Sequence, residues 1–225
     1  MRPVIVIRPE PGASVTQAAG ELIGLNILAI PTWEMFEVRW TAPDPANIDA
    51  LLIGSANALR HSGTQHVPFA GYPVYAVGEA TAALARKMGH KVASVGEGGL
   101  QAVIDALPAT PIRLLRLAGE EHLPLVLPPH VSVETRIVYR ALPLPFPEKL
   151  ILQLRQGALV LLHSAAAADH FSAECDHLGL PRERIAIAAL GPRIAAAAGA
   201  GWADCRSAPS PNDAALLALA REMCH

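Results

Sequence analysis

The chain reads twice, at a spacing of roughly 110 residues. The run Val4-Ile5-Val6-Ile7-Arg8 returns as Ile112-Arg113-Leu114-Leu115-Arg116. Ala50-Leu51-Leu52-Ile53-Gly54-Ser55-Ala56 returns as Ala158-Leu159-Val160-Leu161-Leu162-His163-Ser164-Ala165. Val77-Gly78-Glu79-Ala80-Thr81-Ala82 returns as Leu190-Gly191-Pro192-Arg193-Ile194-Ala195, and Gly89 as Gly201. Repeats of 20–50 residues build solenoids; so long a period predicts two domain-sized copies. Two similar domains on one short chain predict a cleft between them, the usual seat of small-molecule chemistry.

The totals fit that reading. A chain of 225 residues holds one large domain or two of about 100. Hydrophobic residues make up 52%, enough for two cores, and much of that share is alanine. The longest apolar stretch, 185–203, is broken by Gly191, Pro192, Arg193, Gly199 and Gly201, so no spanning helix is expected. After Met1-Arg2-Pro3 only four apolar residues follow, too few for a signal-peptide core. Cys175, Cys205 and Cys224 lack paired spacing and read as reduced thiols of a cytoplasmic protein, without a zinc site. A net charge of −2 argues against nucleic acid as a partner.

Short apolar runs alternate with helical patterns, the signature of parallel α/β architecture with sheets covered on both faces. Strands are expected at 4–7, 27–30, 50–53, 74–77, 91–95, 112–117, 134–139, 158–162, 185–190 and 202–206. A capping box at Ser14 and Gln17 is expected to open the first helix. Ser55 and Ser164 are expected to cap helices directly after strands. Gly24, Gly89 and Gly199 suit helix C-terminal turns. The longest irregular stretches, 31–45 and 139–147, fall at equivalent points of the two copies. The chain is therefore expected to leave domain 1 near Pro31, build all of domain 2, and return near Tyr139. Domain 1 would be discontinuous, 1–31 plus 147–225; domain 2 would be 42–138, with linkers at 32–41 and 139–146.

In open parallel sheets, ligands bind beyond the carboxyl ends of strands. Those ends carry Arg8, Gly54-Ser55-Ala56-Asn57, Gly78 with Thr81, Arg116, His163-Ser164-Ala165 and Gly191-Pro192-Arg193. Each combines a small residue with a hydroxyl, amide or cation, which suits carboxylates or phosphates. Each also has a plainer reading: Ser55 and Ser164 as caps, Gly78 and Gly191 as turn glycines, Arg8 and Arg116 as partners of Glu10 and Glu120. Dinucleotide, phosphate-loop and nucleophile-elbow signatures are absent. His170, Glu174 and His177 share a helical face, which reads as a solvated face ahead of a metal site. Trp33 and Tyr139 read as linker packing with a ligand role open.

Ser55-Ala56-Asn57-Ala58, Val77–Ala82 closing on Gly89, Val138-Tyr139-Arg140, the strand ending at Ser164, Leu190-Gly191-Pro192 and Ser210-Pro211-Asn212 run in order across nearly the whole chain. Together they resemble the uroporphyrinogen-III synthase family. The resemblance implies two similar parallel-sheet α/β domains of flavodoxin-like type, the first discontinuous, joined by a two-stranded linker. It implies a cofactor-free, metal-free lyase of haem biosynthesis acting on the linear tetrapyrrole hydroxymethylbilane. Loss of the hydroxymethyl hydroxyl gives an azafulvene, ring D attacks through its substituted position, and a spiro intermediate reopens and recloses with that ring inverted. The precursor closes unaided to isomer I, so the enzyme's task is mostly to hold a flexible octacarboxylate in one geometry.

The strand-end reading and the resemblance together place binding roles on Arg8, Ser55, Ala56, Asn57, Gly78, Thr81, Arg116, Ser164, Ala165, Gly191 and Arg193, and catalytic roles on Tyr139 and Thr81. Family members often carry threonines where this chain has Arg193 and Ile194. A tyrosine proposed as catalytic in some members has no counterpart in Leu150–Arg155. Transient contact with the enzyme that makes the substrate is a further expectation. The competing readings are a non-catalytic two-lobed binder of an anionic small molecule, such as a tetrapyrrole, and a paired-domain interaction module.

Overall fold

The computed structural model describes residues 2–224. Met1 and His225, the outer ends of the expected discontinuous domain, lie outside the described residues. The chain divides into two units, Met1–Glu34 with Leu142–His225 and Met35–Ala141.

The first unit holds β1 (Val4–Val6), α1 (Gly12–Glu21) and β2 (Ile27–Ala29) from the start of the chain. From its later part come α5 (Glu148–Gln156), β9 (Leu159–Leu162), α6 (Ala165–His177), β10 (Ala186–Ala189), α7 (Pro192–Ala198), β11 (Asp204–Ser207) and α8 (Asp213–Met223). Its five strands run β11-β10-β9-β1-β2, all neighbours parallel. The flavodoxin-like order follows directly. Successive side chains of β1 alternate faces. Ile5 and Ile7 pack with Val160, Leu162 and Phe171, while Val4 and Val6 pack with Leu159, Leu161, Leu216 and Ala220 of the opposite layer. Burial on both faces is why these strands read as continuous apolar runs.

The second unit contains β4 (Ala50–Ile53), α2 (Ala56–Arg60), β5 (Pro73–Val77), α3 (Glu79–Lys87), β6 (Lys91–Gly96), α4 (Leu100–Asp105) and β7 (Ile112–Gly119). It also holds most of β3 (Trp33–Glu37) and β8 (Val131–Pro143). The sheet order is β3-β8-β7-β4-β5-β6, with β4 to β8 linked by parallel ladders. Leu51, Ile53, Leu115 and Leu117 face one core; Ala50, Leu52 and Leu114 face the other, under α4.

Three local expectations are corrected. The stretches 31–45 and 139–147 are not irregular throughout: Trp33–Glu37 is a strand, and β8 runs on to Pro143. β3 sits at the sheet edge and Pro143 at a strand end, both places where a missing ladder partner or N–H is tolerated. The box at Ser14 does not form either. α1 starts at Gly12, Ser14 donates to Glu10 through both its N–H (3.1 Å) and its hydroxyl (2.9 Å), and Gln17 reaches Glu21 instead. A carboxylate before the first turn suits the positive end of the helix and takes the place that Gln17 would have filled. The last strand is Asp204–Ser207, two residues later than Trp202.

Candidate active site

Each sheet has one switch point, where the connections leave neighbouring parallel strands in opposite directions and open a crevice at their carboxyl ends. In the first unit it lies between β1 and β9; in the second, between β4 and β7. Ser55 and Ser164 occupy matching places just after β4 and β9. Each is the N-cap of the helix that follows, with Ser55 Oγ accepting from the Asn57 N–H and Ser164 Oγ from the Ala167 N–H, both at 3.2 Å. Capping engages an oxygen lone pair and leaves the hydroxyl hydrogen free to donate to a ligand.

At the second unit's switch point there is a cavity of about 310 Å³. Ser55, Arg116, His122, Tyr139, Gly98 and Gly99 are among its walls. Arg116 is only 6% exposed. It stands opposite Leu52 in the β4–β7 ladder, on the sheet face that Leu114 uses for the α4-side core. Its Nη1 donates to the Leu123 carbonyl at 2.9 Å, whereas its Nε is buried with no acceptor. Burial lowers its pKa, yet guanidinium stays charged at any relevant pH. No ion pair among the described residues involves it, although Glu121 also lines the cavity. Tyr139 lies against Gly119: a Cβ there would meet its Cζ at 2.7 Å. His122 Nδ1 is tied to the Gly119 carbonyl at 2.9 Å.

The first unit's switch point is occupied by its own side chains. Asp213, at the start of α8, accepts from Arg8 Nη1 (3.1 and 3.3 Å) and from the Thr16 hydroxyl (2.9 Å). His163 Nε2 stands 3.4 Å from its other oxygen, at ion-pair range though without hydrogen-bond geometry. The His163 contact first, then Thr16 and Arg8, bring the Asp213 carboxyl down to about 2 against the opposing effect of burial. Arg8 therefore pairs with Asp213 rather than with Glu10.

Of the twelve positions named from the sequence, the structure brings Ser55, Arg116 and Tyr139 to one cavity. Ala56 and Asn57 lie in the first turn of α2, where Asn57 accepts from Arg60 at 2.8 Å. Gly78, with φ of 74°, precedes α3, and Thr81 is buried on that helix; neither lines the cavity. In the first unit Ala165 opens α6, Gly191 precedes α7, and Arg193 is exposed with no ion pair among the described residues. Asp213, Thr16 and His122 escaped sequence reasoning. Asp213 follows the Ser210-Pro211-Asn212 motif, but nothing local shows that its partner lies 205 residues away. His170, read as a metal candidate, packs between Trp33 and Phe146. Among the described residues no group of three or more acidic, histidine or cysteine side chains could hold a metal ion.

The family model described as uroporphyrinogen-III synthase HemD matches residues 14–218. The chain belongs to the uroporphyrinogen-III synthase family. It is thus an enzyme of haem biosynthesis, in a family of cyclising lyases. The fold agrees. The crystal structure of uroporphyrinogen-III synthetase from Helicobacter pylori superposes with a TM-score of 0.68 at 17% identity, covering 99% of this chain and 100% of that one. A mutant uroporphyrinogen III synthase from the extremely thermophilic bacterium Thermus thermophilus gives 0.56 at 16% identity, covering 100% and 99%. No curated protein sequence matches this chain significantly. No helix among the described residues is long and apolar enough to cross a membrane.

Proposed function

We propose that this uroporphyrinogen-III synthase family member cyclises hydroxymethylbilane with inversion of ring D and loss of water, using side chains at the strand-end edge of the second unit to hold the substrate. The observation that carries the reading is the family match over 14–218. The chemistry of the cavity supports it. The reaction needs little from the protein beyond geometry, because the precursor already cyclises without it. What must be supplied is orientation of a flexible polyanion, and orientation alone lowers a barrier by many kcal/mol when reacting atoms are held within contact distance. A buried, unpaired guanidinium suits a carboxylate anchor, since a charge-assisted bond in a water-poor site is stronger than one at the surface. Ser55 has a hydroxyl hydrogen left to donate. Tyr139, the aromatic wall, is the side chain we assign to assist departure of the hydroxyl. Thr81 and the first-turn residues Ala56 and Asn57 are given no direct contact.

Because hydroxymethylbilane closes unaided to isomer I, prompt capture from the enzyme that makes it is part of the proposal, as is a cytoplasmic setting. The test supplies freshly made hydroxymethylbilane, oxidises the products to porphyrins and separates the isomers. Isomer III in excess is expected. Isomer I alone, formed at the rate seen without protein, overturns the reading.

A further inference from the structure

We propose that the second unit's cavity is a single-pyrrole subsite, taking one ring of the tetrapyrrole with its carboxylate arms rather than the whole substrate. The inference rests on the proposed function and deepens it. Size is the first argument. At about 310 Å³ the cavity lies at the lower end of small-molecule pockets, which span roughly 300–1,000 Å³. Four substituted pyrroles exceed it; one ring with its arms is of matching scale. An octacarboxylate tetrapyrrole carries two carboxylates per ring, so a single-ring site needs a cation, a second donor and a flat apolar wall.

Those three parts are present within one unit. The cation is Arg116, whose Nη1 is fixed on the Leu123 carbonyl, leaving the Nε–Nη2 edge without a hydrogen bond among the described residues. That edge is the fork that receives both oxygens of a carboxylate. An orphaned Nε–H on a side chain so deeply buried is costly unless a ligand completes it. The second donor is the Ser55 hydroxyl, whose oxygen serves the Asn57 cap and whose hydrogen is left for the ligand. The wall is Tyr139, seated where Gly119 lacks a Cβ. The first unit offers no equivalent, because Asp213 already occupies the cation of its switch point.

The test titrates the full chain with a free pyrrole bearing two carboxylate arms, and with its diester, by calorimetry. The diacid is expected to bind, and the diester at least tenfold more weakly. Arg116→Met should weaken diacid binding roughly tenfold to a hundredfold, the worth of a charge-assisted contact. Arg116→Lys, which keeps charge without the fork, should fall between. The diacid should also raise the KM for hydroxymethylbilane without lowering kcat. Isomer III production with no diacid binding, or binding indifferent to Arg116 in a variant of wild-type Tm, overturns the subsite and leaves the activity standing. Diacid binding with no isomer III would instead overturn the activity and leave the subsite.

Discussion

Arg8 and Arg116 end matching runs of the repeat, yet one is a brace and the other an open receptor. Arg8 is a third exposed and locked to Asp213, Thr16 and the neighbourhood of His163. Arg116 is buried and faces no carboxylate within ion-pair range among the described residues. The ladders explain the difference. β1 sets Val6 opposite Leu161, three residues before Ser164; β7 sets Arg116 opposite Leu52, three residues before Ser55. Measured from the two capping serines, Arg116 therefore stands level with Val6, two residues deeper in its sheet than Arg8. Two residues along a strand is about 7 Å and keeps the side chain on the same face. A cation at the rim can be met by a helix-borne aspartate. One sunk that far must be met by a ligand or left unpaired.

The sharpest break of this contrast is a pair of variants. Arg116→Met should raise the KM for hydroxymethylbilane tenfold to a hundredfold while leaving Tm equal or higher, because an unpaired desolvated charge is removed. Arg8→Met should do the reverse: KM within about threefold, but stability lower by about 1 kcal/mol, since Asp213 loses a partner in a half-exposed site. Equal effects of the two on KM would erase the distinction.

Acid sharpens it further. Asp213 is depressed to about 2 from 3.8, so its stabilisation is complete above pH 3.8 and disappears as pH falls through 2. Discounted for its exposure, that is worth about 1–2 kcal/mol. Asp213→Asn should be less stable at pH 6 and lose less on going to pH 3, as followed by urea unfolding. The second unit is expected to weaken over a different pH range. His90 is 4% exposed, its ring 6.3 Å from that of His66, and burial lowers its pKa, opposed by the Tyr72 backbone. A base depressed in the fold takes up protons on unfolding, so stability starts to fall once pH drops below 6.5. Hydrogen exchange at pH 7 and 5 should loosen the second unit first, and His90→Phe should flatten that slope by less than about 1 kcal/mol. Loosening that begins in the first unit would contradict the assignment.

The smallest effect is expected at Thr81. Its side chain is buried on α3 and outside the cavity, so Thr81→Ala should change kcat and KM less than twofold. A tenfold loss would bring α3 back into the site.

Much of this is legible in the sequence, and the rest is hidden for identifiable reasons. Apolar runs such as Ala50–Ile53 and Leu159–Leu162 announce strands buried on both faces, and Ser55 and Ser164 announce their helices. The edge strand Trp33–Glu37 escapes notice because prolines and charges around it imitate a loop. The repeat aligns Arg8 with Arg116 by residue type and hides the two-residue slide, because register belongs to strand pairing and is not written in either strand alone. Asp213 is invisible for a similar reason, as its role depends on contacts across the length of the chain.

Sheet order also dictates a timetable. β1, the strand between β2 and β9, acquires its second neighbour only when Leu159 has been made, some 130 residues after β2 ends. At ribosomal speeds of about 5–20 residues per second, that leaves an apolar edge waiting on the order of ten seconds. The inserted unit meanwhile has every strand it needs. During synthesis the chain must therefore shield β1, whose open apolar edge is a template for pairing with other chains.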